Sequence, residues 1–230
     1  MTAQSFLAGQ VLLLDKPLNW SSFQAVNKLK YQLKRYSPEL KKIKIGHAGT
    51  LDPLATGLLI VCTGKFTKRI TEFQNLPKTY TGQIRLGATT PSFDLETAIN
   101  ETFPMDHLSE ELILEKVQDF VGDIFQKPPI FSAIKKDGIR LYEHARNDEA
   151  IEIAARPVHV HHFKITAIHL PTIDFEIKCS KGTYIRSLAN DLGQALNCGG
   201  HLTTLKRTKI GDFDVKHADS IETFEARLKE

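Results

Sequence analysis

The chain has 230 residues, 41% hydrophobic and 25% charged, with 30 Lys and Arg against 27 Asp and Glu for a net charge of +3. That balance describes a water-soluble globular protein able to bury a sizeable core, and no apolar run approaches the ~20 residues of a membrane span. Three scattered cysteines, Cys62, Cys179 and Cys198, exclude a disulfide framework or cysteine-rich zinc site, and with no secretory signal over Met1 to Ser5 they lead us to expect a reducing cytoplasm.

Residues 9–14 read as a buried strand, then Asp15-Lys16-Pro17-Leu18-Asn19-Trp20 as a loop. Ser21 or Ser22 caps a basic helix running to about Tyr36. The next segment, from Gly46 to Gly57, holds three glycines, His47 and Asp52 in a dozen positions and leads into an apolar strand over 58–63. Glycine supplies positive φ or close backbone approach, and Pro53 fixes φ after the acid while pushing Asp52 toward an extended conformation. A single carboxylate on a stiff loop in front of a buried strand is expected; an Asx-type turn is the alternative.

A helix is expected over 66–75, and residues 78–87 form a strand that sets Tyr80, Ile84 and Leu86 against Thr81, Gln83 and Arg85. An amphipathic helix covers 109–121, and two strands over 157–180 join near Pro171-Thr172. A helix from about Thr183 to Leu196 ends at Gly199-Gly200. Residues 201–216 are strand-like and 218–229 form a terminal helix. Strands and helices do not alternate strictly, so the fold class is α+β with a mixed sheet. One catalytic domain over residues 1–230, with an insertion at about 125–150, is the simplest division.

Charge is unevenly placed. Residues 28–44 carry seven Lys or Arg against Glu39, whereas 94–123 carry nine Asp or Glu against Lys116. Further cations lie beside the shaped segments, among them Lys206, Arg207 and Lys209, as a surface that follows phosphates requires. A solvated helix face is the simpler account of any one run. Phosphate-loop, dinucleotide, nucleophile-elbow and zincin motifs are absent, so ATP, dinucleotides, an activated serine and a zinc protease mechanism lose support. His159, His161, His162 and His169 lack a carboxylate or cysteine at ligand spacing and read as polar strand positions.

Gly46-His47-x-Gly49-Thr50-Leu51-Asp52-Pro53-x-Ala55-x-Gly57 resembles the catalytic motif of the TruB family of tRNA pseudouridine synthases. Three further segments are similar to that family in the same order. They are Val11 to Pro17 with Ser21-Ser22, Pro129 to Lys135 with Gly138 and Leu141 to Arg146, and Cys179 to Arg186 with Asp191-Leu192-Gly193. The resemblance covers most of residues 9–210. It implies the pseudouridine synthase fold, a mixed central sheet with a long cleft and an RNA-gripping insertion. It also implies a cofactor-free isomerase that converts uridine-55 to pseudouridine in the TΨC arm of tRNA; a monomer is expected, since nothing in the sequence demands more. The chain ends at Glu230, which leads us to expect no C-terminal RNA-binding domain of the PUA type.

The resemblance also assigns roles. Asp52 is the carboxylate nucleophile that opens the N-glycosidic bond. Arg186 matches the arginine that pairs with it, and a nearby guanidinium would keep a carboxylate ionised; an ordinary helix-surface arginine is the alternative. Tyr80 matches a tyrosine that stacks on uracil, although strand tyrosines also serve simple packing. His47 could fill the space left by a flipped base, or be structural. Lys16 is an active-site support or phosphate contact. Phe131, Lys135, Arg140, Tyr142 and Arg146 of the insertion, with Lys181 and Tyr184, are expected to grip RNA by charge and stacking. Two other classes compete: an RNA-binding or tRNA-folding protein with secondary catalysis, and a metal-dependent hydrolase using the histidines.

Overall fold

The computed structural model describes residues 2–132, 135–136, 139–140 and 153–229, the two short pieces by their backbone alone. The first helix, α1 (Ala3–Ala8), is followed by β1 (Val11–Lys16), α2 (Ser22–Tyr36), β2 (Ile45–His47) and β3 (Ala55–Thr63). A 3-10 turn over Gly64–Arg69 leads into α3 (Ile70–Asn75) and β4 (Lys78–Leu86), then the short pair β5 (Ala88–Thr89) and β6 (Glu101–Thr102). Next come α4 (Glu110–Gln118), β7 (Gly122–Gln126), the pair β8 (Lys135–Lys136) and β9 (Ile139–Arg140), and the hairpin β10 (Arg156–His169) and β11 (Thr172–Cys179). The chain closes with α5 (Ile185–Ala195), β12 (Gly200–Ile210), β13 (Phe213–Asp214) and α6 (Ile221–Lys229). Packing divides it into two compact units, Met1–Tyr80 with Leu205–Glu230, and Thr81–Thr204.

In the first unit β3 is the central strand. It pairs antiparallel with β1, Leu14 opposite Leu59 and Lys16 opposite Gly57. It pairs antiparallel with β2 through His47 and Val61, and parallel with β12 through Arg207 and Gly57. The sheet is therefore mixed. Residues 57–63 of β3 are all buried, as a strand covered on both faces requires. On one face Leu59 and Val61 join Leu12 and Leu14 against Ala25, Val26, Leu29 and Leu33 of α2 and Ile221 and Phe224 of α6. On the other, Leu58, Ile60 and Cys62 pack with Phe73 and Ile210. Each such side chain contributes about 1.5–3 kcal/mol on burial.

Helix α2 forms because those four apolar positions recur at helical spacing above a polar face. Its start is a capping box: Gln24 N donates to Ser21 Oγ at 3.1 Å, and Ser21 N donates to Gln24 Oε1 at 2.8 Å. With Ser21 as the cap, the hydroxyl of Ser22 is released for another partner.

In the second unit β10 lies between β7 and β11, antiparallel to both. Val158, Val160, Phe163, Phe175 and Ile177 are buried, along with Ile113 and Val117 of α4 and Leu188, Ala189 and Leu192 of α5. Helix α5 ends in a reversal with Asn197 at φ 51° and Gly199 at φ 64°. The three cysteines are buried, and among the described residues no disulfide joins them. Among the described residues no helix is long and apolar enough to cross a membrane.

Gly57 marks a tight crossing of two strands in the first unit. It adopts φ +101°, and a Cβ there would stand 2.3 Å from the carbonyl oxygen and 2.8 Å from the nitrogen of Arg207. Gly122 adopts a similar φ of +94° with nothing within 4 Å of a Cβ. Gly57→Ala should therefore cost about 2–4 kcal/mol in urea unfolding, strain plus overpacking, and Gly122→Ala only about 1–2 kcal/mol. Equal costs would mean that the close approach to Arg207 does not matter.

Candidate active site

Between β2 and β3 the chain makes a loop whose backbone carbonyls are taken one by one. Arg207 reaches in from β12: Nη2 donates to Gly49 O at 3.2 Å, Nη1 to Thr50 O at 3.4 Å and Nε to Leu58 O at 2.7 Å. Ser22 Oγ donates to Leu51 O at 3.1 Å and accepts from Leu51 N at 2.8 Å. Asp52 O accepts from Ala55 N at 3.1 Å, and Pro53 O accepts from Asn19 N at 2.9 Å. Every carbonyl from Gly49 to Pro53 thus has a donor. A segment without a helix or ladder of its own is held as firmly as if it had one. Asp52, half-buried, sits in the middle of it.

Two cations lie behind this loop. Lys16 is wholly buried, and its Nζ donates to Trp20 O at 2.6 Å, Pro17 O at 2.9 Å and Pro53 O at 3.4 Å. Those bonds make it a support of the loop; no exposed ammonium is left for a phosphate. Burial lowers its pKa from the usual 10.5 to about 8, with the negative charge of Asp52 opposing and Arg207 adding to the fall. Arg207, grouped by sequence with the phosphate-facing cations, is 1% exposed and faces the core instead. His47 ends β2; burial, then the charge of Arg207, lowers its pKa against a bond with Gly49, which favours a neutral ring at pH 7. Tyr80, in β4, is 9% exposed.

In the second unit Arg186 belongs to the first turn of α5 and is 3% exposed, so the surface-arginine alternative fails. Its Nη2 donates to Phe131 O at 2.9 Å and its Nη1 to Ser92 O at 3.4 Å, and Nε lies 3.6 Å from Asp94 Oδ2. Asp94 and Ser92 come from a loop to which the sequence alone assigns no specific contact. That loop is built from buried polar groups. Thr90 Oγ1 donates to Asp94 O at 2.6 Å, Asp94 Oδ1 accepts from Glu96 N at 3.0 Å, and Phe93 adopts φ 62°. The run of Thr, Ser and Asp was the available signal, since such side chains bond their own backbone.

Tyr184, the residue before α5, is clamped by Gln126, whose amide accepts from Tyr184 N at 2.8 Å and donates to Tyr184 O at 3.0 Å. Gln126, Arg156, Lys181 and Tyr184 line one cavity of about 280 Å³, so Lys181 and Tyr184 are brought together. Lys135 and Arg140 face each other across β8 and β9. Tyr142 and Arg146 lie outside the described residues. Of the strand histidines, His159 and His161 touch edge to face at 4.6 Å, His159 Nδ1 lies 2.7 Å from Asp123 Oδ1, and His162 Nε2 lies 3.2 Å from Glu176 Oε1. Among the described residues no three His, Cys, Asp or Glu side chains gather as a metal would need.

The buried ammonium gives a direct reading of this electrostatic arrangement. Because the folded value of Lys16 lies below 10.5, the cost of its charge is fully present below about pH 8 and is relieved as pH rises from 8 toward 10.5. Followed by the NMR shift of its Cε, Lys16 should titrate near pH 8, and Asp52→Asn should move the midpoint lower still. A midpoint near 10.5 would contradict the buried placement.

Known proteins resemble this chain over its whole length. The model described as TruB family pseudouridylate synthase (N terminal domain) matches residues 34–185, and that described as tRNA pseudouridylate synthase B C-terminal domain matches residues 186–230. A Flavobacterium johnsoniae protein named tRNA pseudouridine synthase B is 65% identical over all of both chains. One of the same name from Phocaeicola vulgatus is 52% identical, over 96% of this chain and 93% of its own. Among solved structures, a chain of a Cbf5-Nop10-Gar1 complex superposes with a TM-score of 0.73 at 25% identity, over 98% of this chain. A chain of an H/ACA RNP bound to a substrate RNA containing 2'-deoxyuridine does so with a TM-score of 0.71 at 22% identity. This chain spans 56% and 55% of the lengths of those two chains. With the fold shared, the family models covering the site and full-length relatives this similar, the chain belongs to the TruB family of pseudouridylate synthases.

Proposed function

We propose that this protein isomerises uridine to pseudouridine in the T stem-loop of tRNA, at position 55, as a cytoplasmic monomer of one catalytic domain that needs no cofactor. The observation that carries the reading is the loop from Gly49 to Pro53. Its carbonyls are all engaged, and it holds a single carboxylate in front of two buried cations. A nucleophile has to be kept in one place and in its charged form. Closure of the loop serves the first need, and the positive potential of Lys16 and Arg207 serves the second.

In this reading Asp52 attacks the ribose side of the N-glycosidic bond, the uracil leaves as an anion and turns, and C5 replaces N1 as the atom bonded to the sugar. The bond between Asp52 and the ribose breaks as C5 attaches, the C5 proton is lost and N1 takes one up, so atoms balance without any redox partner. The family roles of Tyr80, beside the uracil, and Arg186, as a guanidinium for a carboxylate, are carried to this chain on the resemblance. Burial of both side chains supports them. A neutral His47 suits contact with a displaced base, because a bare imidazole stacks without a charge to desolvate. Lys181 and Tyr184, together at one cavity, are assigned to RNA, as are Phe131, Lys135, Arg140, Tyr142 and Arg146.

The test is tritium release from transcribed tRNA carrying [5-³H]uridine. Wild type should release tritium only when the T-arm uridine is present, and Asp52→Asn should release none above background while binding tRNA within about threefold of wild type. Tight binding without release by wild type would favour the tRNA-folding reading. Equal release by both proteins would remove Asp52 from the chemistry.

A further inference from the structure

On the outer side of α2, against the last turns of α6, lies a groove of about 220 Å³ lined by Lys28, Tyr31, Gln32, Arg35 and Tyr36. Its composition is unusual for a solvated helix face. Tyr31 is 53% exposed, while the Tyr36 ring beside it packs edge to face on Phe6. Lys28 Nζ lies 5.9 Å and the Arg35 guanidinium 5.6 Å from the centre of the Tyr31 ring. The acid in the groove, Glu225, is engaged by Lys229 Nζ at 3.3 Å and by Gln32 Nε2 at 3.0 Å, leaving Lys28 and Arg35 to set the sign of the groove.

We propose that this groove is an accessory RNA-binding site that takes one unstacked nucleotide of the tRNA. The base stacks on the exposed ring of Tyr31, and the flanking phosphates meet Lys28 and Arg35. Exposed rings interleaved with cations are the elements by which proteins hold single-stranded RNA. The proposal rests on the tRNA reading above for the identity of the polymer. It is tested by binding alone, so it can fail while pseudouridine formation stands, and the reverse.

The experiment is a salt titration of tRNA affinity with the full chain. Each neutralised phosphate contributes about 0.7–0.9 to the slope of log affinity against log salt. Lys28→Gln with Arg35→Gln should therefore flatten the slope by about 1.5 and weaken binding about 30-fold at 0.1 M salt. Tyr31→Leu should weaken binding about 5- to 100-fold, and Tyr31→Phe, which keeps the ring, should not. An unchanged slope in the double variant, or equal loss in both Tyr31 variants, would overturn the assignment.

Discussion

The guanidinium of Arg207 is the constraint on which the first unit depends. It enters from β12 and bonds Gly49, Thr50 and Leu58, joining both ends of the Asp52 loop to a strand more than 140 residues away in sequence. A lysine could not take its place, since only a planar fork serves three fixed acceptors at once. Burying that charge is expensive, and bonds to carbonyls offset the cost without neutralising it. The charge therefore persists as a field behind Asp52, and the same group orders the loop and prepares it electrostatically. Gly57 belongs to this arrangement too, because only a residue without Cβ lets β3 and β12 lie close enough for the fork to reach.

The second unit repeats the device with different residues. Arg186 is buried and donates to Ser92 O and Phe131 O, and Gln126 closes on both backbone groups of Tyr184 at the head of the same helix. In each unit a long polar side chain from regular structure fixes irregular backbone by bonding its carbonyls. Loops held this way can carry chemistry without the positional spread that free loops have.

Much of this was legible beforehand. The buried strand, the basic helix, the hairpin at Pro171 and the helix before Gly199-Gly200 follow from periodicity and turn chemistry, and the structure places each within a few residues of its expected bounds. Helix α1 and strands β2 and β7 were not anticipated, and residues 66–75 divide into a 3-10 turn and α3. Elements of three to six residues offer too few positions for a period to show, and neighbours decide their conformation. For the site, Gly46, Gly49, Gly57 and Pro53 announced a constrained loop around Asp52. What constrains it was hidden, apart from one clue in Ser21-Ser22. A helix needs one capping hydroxyl, and the second was free to hold Leu51.

The sequence by itself determined the family, the central apolar strand, the capped helix and the position of the candidate nucleophile, because these rest on neighbouring residues and local backbone rules. Only the tertiary structure decided which cations serve the interior. Lys206 and Arg207 are adjacent in a strand, and the side chain of each residue points opposite to that of the next. Parallel pairing with β3 sets Arg207 opposite Gly57 and turns it into the core, while Lys206 is left in partial contact with solvent near Asp15. A slip of one residue would exchange them. Register is a property of two strands, so neither strand's sequence alone can state it.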